Sequence, residues 1–212
     1  MVLRNIRYFI VGIGSLLIPF SVLGQGLDDA GSAYDIGVFS GFSSGGDFQD
    51  AVTGDALDLK ESASGGVVMR IRQTSRTFIE VYYSEQSTHF QSNGIFTGDP
   101  LFDMKVRYAQ IGGVYEIDDT FNRPYVMGGL GLTRFEPKGE SLDPETRFSM
   151  SLGAGYLFPV TRSADLRLEA RAVGTLFNTN GELFCTNGRC RITLDSDALW
   201  QVQLAVTFAL AF

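Results

Sequence analysis

The chain has 212 residues, 44% hydrophobic, 19% charged and 12% aromatic, with 25 glycines and 6 prolines, which is too apolar for a disordered chain and long enough for one large domain. Its 17 Lys and Arg against 24 Asp and Glu leave a net charge of −7, the wrong sign for a protein that binds nucleic acid by neutralising phosphates. A single histidine also disfavours a metalloenzyme, and no cofactor or metal is expected.

At the N-terminus Arg4 and Arg7 precede an apolar run from Tyr8 to Phe20, followed by Ser21-Val22-Leu23-Gly24. A basic start, an apolar centre and small residues before a cut form a secretory signal peptide. Residues 1–24 are therefore expected to be removed, leaving 25–33 as a short periplasmic segment. The run is shorter than the ~20 residues a spanning helix needs, and Pro19 interrupts it. No Cys follows Gly24, so the lipoprotein reading fails.

Beyond residue 33 apolar residues alternate with polar or small ones at period two, the signature of strands. Eight strands are expected, near 34–43, 63–73, 77–86, 105–117, 124–135, 146–158, 165–177 and 198–212. Gly112-Gly113 and Gly128-Gly129 leave the register of the fourth and fifth open, because a bulge there would shift the faces. The sixth sets Phe148, Met150, Leu152, Ala154, Tyr156 and Phe158 against Arg147, Ser149, Ser151, Gly153 and Gly155. The seventh sets Leu166, Leu168, Ala170, Ala172 and Leu176 against Arg167, Glu169, Arg171, Val173 and Thr175. In the eighth, Trp200, Val202, Leu204, Val206, Phe208, Leu210 and Phe212 oppose Gln201, Gln203, Ala205, Thr207, Ala209 and Ala211.

Connections alternate in length. Residues 44–62, 87–104, 136–145 and 178–197 are long and rich in Gly, Ser, Asp and Asn, whereas those at Thr74-Ser75, Asp118 to Arg123 and Pro159 to Ala164 are short. Short turns at one end and long loops at the other are the plan of an outer-membrane barrel. The alternative is a secreted lipocalin-like barrel, apolar inside and polar outside. Side-chain size decides between them. An eight-stranded lumen has room only for a packed set of side chains, so the large aromatic residues belong outside and the glycines, alanines and charged residues inside. The expected fold is an all-β, eight-stranded, closed antiparallel transmembrane barrel over 34–212, with Arg70, Arg72, Glu80, Arg147, Arg167, Glu169 and Arg171 joining Gln201 and Gln203 in a polar lumen network.

Several stretches carry a resemblance. Val81-Tyr82-Tyr83-Ser84-Glu85-Gln86-Ser87-Thr88, Ile111-Gly112-Gly113-Val114-Tyr115, Pro124 through Gly131, and Leu183-Phe184-Cys185 through Cys190 resemble the outer-membrane β-barrel family of small proteobacterial proteins, related in architecture to OmpX and the OmpA barrel. The resemblance implies a Gram-negative outer-membrane location, contact with outer-membrane lipids and lipopolysaccharide, and a monomer. Phe212 resembles the signal by which such proteins are recognised by the barrel-assembly machinery. No activity is implied, since no shared catalytic motif maps onto this chain.

Cys185 and Cys190 sit in the last long loop of an exported protein, where a disulfide is favoured; zinc would need more Cys or His nearby. His89-Phe90-Gln91-Ser92 is reminiscent of the His and Ser of lipid A deacylases, which are also eight-stranded barrels. The spacing is one residue longer than that family's, and no matching acid orients the imidazole as a triad requires. Asp47, Asp50, Asp55, Asp58 and Glu61, opposed only by Lys60, lack the alternation of a calcium loop and read as a solvated acidic loop. The expected function is non-enzymatic, a structural or surface-interaction role through the extracellular loops. A lipid-modifying enzyme of the outer leaflet and a narrow channel for small solutes are the alternatives.

Overall fold

A computed structural model of the protein describes residues 33–45, 47–50, 56–59, 61–92, 103–118, 123–138, 144–177, 182–186, 189–193 and 198–212. The expected signal peptide and all of 25–33 except Ala33 lie outside these residues. In chain order the strands are β1 (Tyr34–Ser44), β2 (Asp47–Asp50), β3 (Ala56–Leu59), β4 (Ser62–Arg72), β5 (Thr77–Ser92), β6 (Asp103–Glu116), β7 (Arg123–Pro137), β8 (Glu145–Pro159), β9 (Ala164–Leu176), β10 (Glu182–Thr186), β11 (Arg189–Thr193) and β12 (Ala198–Ala211). Eight of them, β1, β4, β5, β6, β7, β8, β9 and β12, pair antiparallel in a closed ring. They correspond to the eight expected from periodicity, with ends shifted by at most two residues except in β5, which runs on to Ser92.

The ring is staggered. Stepping across it from Tyr34 leads through Ile71, Ile79, Gly113, Gly128, Leu152, Ala172 and Val202 and returns to β1 at Ser44, ten residues along the strand. Such a shear tilts the strands against the barrel axis and fixes the lumen's width. The glycine pairs of β6 and β7 carry no bulge, since the register runs unbroken from Gln110 opposite Gly131 to Val114 opposite Met127. Glycine is required there for another reason. A Cβ on Gly112 would lie 2.1 Å from the Gly128 carbonyl oxygen, so the two strands approach more closely than any side chain allows.

The outer face is apolar. Ile36, Val38, Val67, Ile111, Leu130, Leu152, Leu168 and Leu204 are exposed around its waist. Aromatic residues bracket this belt, with Phe42, Tyr83, Phe148 and Trp200 toward the loop end and Tyr34, Tyr115, Tyr156 and Phe212 toward the turn end. Apolar bands flanked by aromatic girdles are what lipid contact selects. At the turn end Thr74 Oγ1 accepts the Thr77 N–H at 3.1 Å and Thr161 Oγ1 accepts the Ser163 N–H at 3.2 Å, which tightens two of the short turns. Phe212 donates its N–H to the Tyr34 carbonyl at 2.8 Å, closing the seam between the first and last strands.

At the loop end two of the expected loops are strands. β2 pairs with β3 and β10 with β11; β3 adds to the far end of β5, and β11 bridges to β2, giving the order β5-β3-β2-β11-β10. Segments of four or five residues such as Asp47-Phe48-Gln49-Asp50 are too short to display a period. They form because the extension of β5 offers a free edge to pair with.

The interior is layered rather than uniformly polar. Phe78, Val114, Tyr125, Met127 and Leu157 form one apolar cluster toward the turn end. A second, larger cluster includes Phe39, Val68, Tyr82, Met104, Val106, Phe135, Phe177 and Leu199 and reaches the loop end. Charged and amide groups lie at the levels between.

Candidate functional site

The most concentrated polar chemistry among the described residues is at mid-lumen. Arg70 on β4 donates from Nε to Glu80 Oε2 on β5 at 2.9 Å and from Nη2 across the barrel to Glu169 Oε1 on β9 at 2.7 Å. Arg171 Nη2 donates to the other Glu80 oxygen at 2.6 Å. Tyr125 O–H donates to Glu169 Oε1 at 2.7 Å and Thr207 Oγ1 to Glu169 Oε2 at 3.2 Å. The guanidinium groups are further held over aromatic faces, Arg70 at 4.7 Å from the Tyr125 ring centre and Arg171 at 3.9 Å from that of Tyr82, a favourable cation–π placement. Two arginines meet two glutamates, so the cluster is neutral, and none of these four side chains is more than 4% exposed.

Local structure builds this cluster. Arg70 and Glu80 are direct cross-strand partners. Gly155 is the partner of both Tyr125 and Glu169. A Cβ on Gly155 would lie 2.5 Å from Tyr125 Cζ and 2.6 Å from its hydroxyl, so the absent side chain is what lets the ring lie flat across β8 and reach Glu169.

Immediately above this level the contacts are between neutral groups. Gln203 Nε2 donates to Ser64 Oγ at 2.7 Å and Ser84 Oγ at 3.2 Å, and its carbonyl accepts the Tyr82 hydroxyl. Tyr108 donates to Gln201, Gln110 Nε2 to Ser149 Oγ at 3.1 Å, and Thr133 and Thr175 share a bond of 2.8 Å. Toward the turn end Arg167 pairs with Asp35 at 2.9 Å and Asp165 at 2.6 Å.

The seven charged residues expected to form one network thus fall into separate groups. Arg70, Glu80, Glu169 and Arg171 come together, while Arg167 belongs to the lower group with Asp35 and Asp165. Arg72 lies by the turn, donating to the Ser75 carbonyl at 3.3 Å and stacking 4.8 Å over Phe78. Arg147 lies toward the loop end, paired with Glu145 at 2.6 Å and 5.9 Å from the Phe177 ring centre. Period two assigns a face; it does not assign a height on tilted strands, and height separates these groups. Tyr82, Tyr125, Thr207, Asp35 and Asp165 were not among the expected network residues, although their positions follow from the same alternation.

The remaining sequence candidates are peripheral. His89 and Ser92 are an odd number of residues apart on one continuous strand, β5, with His89 opposite Asp103 and Ser92 opposite Leu57. Period two therefore does not bring them to one face. Cys185 and Cys190 are cross-strand partners in the β10–β11 hairpin. Asp47 and Asp58 are partners in the β2–β3 hairpin, Glu61 accepts the Ser44 hydroxyl at 2.9 Å, and Asp55 and Lys60 lie outside the described residues. Among the described residues no three His, Cys, Asp or Glu side chains cluster as metal ligands would.

Comparison with known proteins agrees with this architecture. A family model for the outer membrane protein beta-barrel domain matches residues 18–209. No protein of curated function matches the sequence. Among solved structures the chain is similar to Neisserial surface protein A, NspA (TM-score 0.60, 15% identity, 87% of this chain and 100% of that one). It is also similar to the outer membrane protein OprG of Pseudomonas aeruginosa (TM-score 0.56, 12% identity, 86% and 98%) and to outer membrane protein AlkL, solved in lipid bilayers (TM-score 0.56, 13% identity, 89% and 94%). At these identities the likeness is one of fold.

Proposed function

The chain belongs to the outer membrane protein β-barrel family, and on that premise we propose that it is a non-enzymatic barrel acting through the sheet it builds at its loop end. The protein resides in the outer membrane, and its apolar belt contacts lipid. The observation that carries the proposal is the continuity of β5-β3-β2-β11-β10. Hairpins from two different long connections are tied to each other and to a strand of the barrel wall, so they present one ordered surface instead of independent loops. With the long connections facing outward, as in barrels of this plan, that surface meets the surroundings of the cell.

The lumen supports a closed body beneath this surface. Its central charges are neutralised within the cluster, and apolar layers lie on either side, an arrangement that gives ions no favourable path. His89 and Ser92 stand an odd number of residues apart on β5, a spacing that does not favour a paired nucleophile and base.

The test is a barrel in which 47–59 and 182–193 are each replaced by a short Gly-Ser linker. It should insert and resist proteolysis like the parent, while cells lose whatever adherence or envelope phenotype the intact protein confers. Purified parent protein should carry no steady current in planar bilayers; large, reproducible single-channel currents would put the channel reading first. A change in lipid A acylation that requires both the gene and His89 would replace the proposal with the enzyme reading.

A further inference from the structure

One surface feature belongs to neither the lumen nor the loop-end sheet. On the outward face of β5, β6 and β7, the apolar row Tyr83, Ala109, Leu132 is followed two residues nearer the loops by Glu85, Arg107 and Arg134, cross-strand partners in turn. The next row carries Lys105 beside Glu136. Lys105 Nζ bonds Glu85 at 2.6 Å and Arg107 Nε bonds it at 2.8 Å; Arg107 Nη1 bonds Glu136 at 2.6 Å and Arg134 Nε at 2.7 Å. The side chains are 22–52% exposed, so they form a rim patch.

We infer that Lys105, Arg107 and Arg134 form a docking site for the phosphorylated headgroup of an outer-leaflet lipid, that is, of lipopolysaccharide. The inference needs only the barrel's place in the membrane. These residues occupy the same face as the belt and lie just past its last apolar row, so their neighbours are lipid headgroups. Three cations share two carboxylates, an excess of positive charge in a chain whose net charge is −7. The carboxylates hold Arg107 through Nε and Nη1 and Arg134 through Nε, and the Arg134 side chain remains 52% exposed. Guanidinium edges match phosphate oxygens in paired, charge-assisted hydrogen bonds, and cations already held in place lose little freedom on binding. The patch is also one-sided. The outward residues near the loop ends of β9, β12 and β1 are Leu176, Trp200, Val202 and Phe42, so the site has a definite position on the circumference.

The test uses the folded full-length barrel in nanodiscs, with bound lipid counted by native mass spectrometry after exposure to bisphosphorylated lipid A, dephosphorylated lipid A or inorganic phosphate alone. Bisphosphorylated lipid A should be retained at least roughly tenfold more than the dephosphorylated form, a factor set by loss of a few charge-assisted bonds. The triple variant K105Q/R107Q/R134Q should abolish that preference, whereas Arg162→Gln, an exposed arginine in a turn at the opposite end, should preserve it. Arg134→Gln alone, at the most exposed of the three positions, should weaken retention without threatening folding and serves if the triple variant fails to insert. Equal retention of the two lipid A forms, full retention by the variants, or saturable binding of inorganic phosphate by itself would each overturn the assignment.

Discussion

Glu80 is the position at which the lumen's electrostatics are most open to experiment. It accepts from both arginines of the central cluster, Arg70 at 2.9 Å and Arg171 at 2.6 Å, and is 3% exposed. In Glu80→Leu, Arg70 keeps Glu169, but Arg171 keeps only the Tyr82 face and the Met127 sulfur at 2.9 Å. The cluster changes from neutral to singly positive in a layer water does not reach. Removing one partner of a buried pair costs about 3–5 kcal/mol, most of it the desolvation of the charge left behind. In the double variant Glu80→Leu with Arg171→Leu, the remaining Arg70–Glu169 pair is neutral again and two apolar side chains fill the gap. The double variant should therefore be more stable than Glu80→Leu alone, with a coupling of roughly 2 kcal/mol. Urea unfolding of the lipid-embedded barrel at neutral pH, read as the midpoint and slope for parent, both singles and the double, supplies the cycle. A loss below about 1 kcal/mol for Glu80→Leu, or a double loss equal to the sum of the singles, would refute the reasoning, since 1 kcal/mol is what an exposed pair contributes.

Three further outcomes follow from the same geometry. Glu169→Ala, which leaves the Tyr125 and Thr207 hydroxyls without their acceptor, takes one of Arg70's two carboxylate partners and makes the cluster singly positive, should cost about 3–5 kcal/mol, against at most about 0.5 kcal/mol for the exposed Glu61→Ala, in the same unfolding assay. Gly155→Ala should cost about 1–3 kcal/mol by pushing the Tyr125 ring off β8; in that background Tyr125→Phe should add almost nothing, because the bond to Glu169 is already broken. Peptide maps of the oxidised, non-reduced protein should contain a Cys185–Cys190 disulfide, and the double Ser variant should still fold, with faster cleavage within 178–197 and a stability loss on the order of 2 kcal/mol at most.

How much of this could be read from the sequence depends on whether a feature repeats. Strands of eleven to sixteen residues show several cycles of alternation, so Trp200 through Phe212 or Leu166 through Leu176 declare both strand and face. The hairpins of β2, β3, β10 and β11 offer four or five residues each and depend on an edge that exists only once β5 has formed. The apolar lumen clusters were hidden for a related reason. Met104, Val106 and Phe135 are completely buried or nearly so, yet they occupy the phase that elsewhere on their strands carries Gln110 or Thr133, so a two-class pattern of polar inside and apolar outside cannot display them. Glu80 and Glu169 stood out because charges flanked by apolar neighbours have no other place to go. Their division of labour with Arg167 and Arg147 required the ten-residue stagger, which no single strand reveals.

That stagger also explains why a membrane barrel would keep so expensive an interior. In water a strand's register is set by burying its apolar face, but here both surroundings accept apolar side chains, lipid outside and the packed clusters within. Hydrophobicity alone therefore discriminates weakly between the correct register and one displaced by a residue. Charge restores the discrimination. A one-residue slip of β9 exchanges its faces and would carry Arg167, Glu169 and Arg171 from the lumen into the apolar belt. An arginine near the bilayer midplane costs about 2–4 kcal/mol and one near the interface about 0–1 kcal/mol, so mid-lumen Arg171 carries most of the penalty, a large part of the whole stability of a typical domain. The slip would also separate Arg171 from Glu80 and Glu169 from Arg70, contacts that join β9 to β5 and β4 across the lumen. The ionic layer thus acts as a sidedness and register device, and the loop-end sheet inherits its alignment, because the edge on which β3 builds is the continuation of β5.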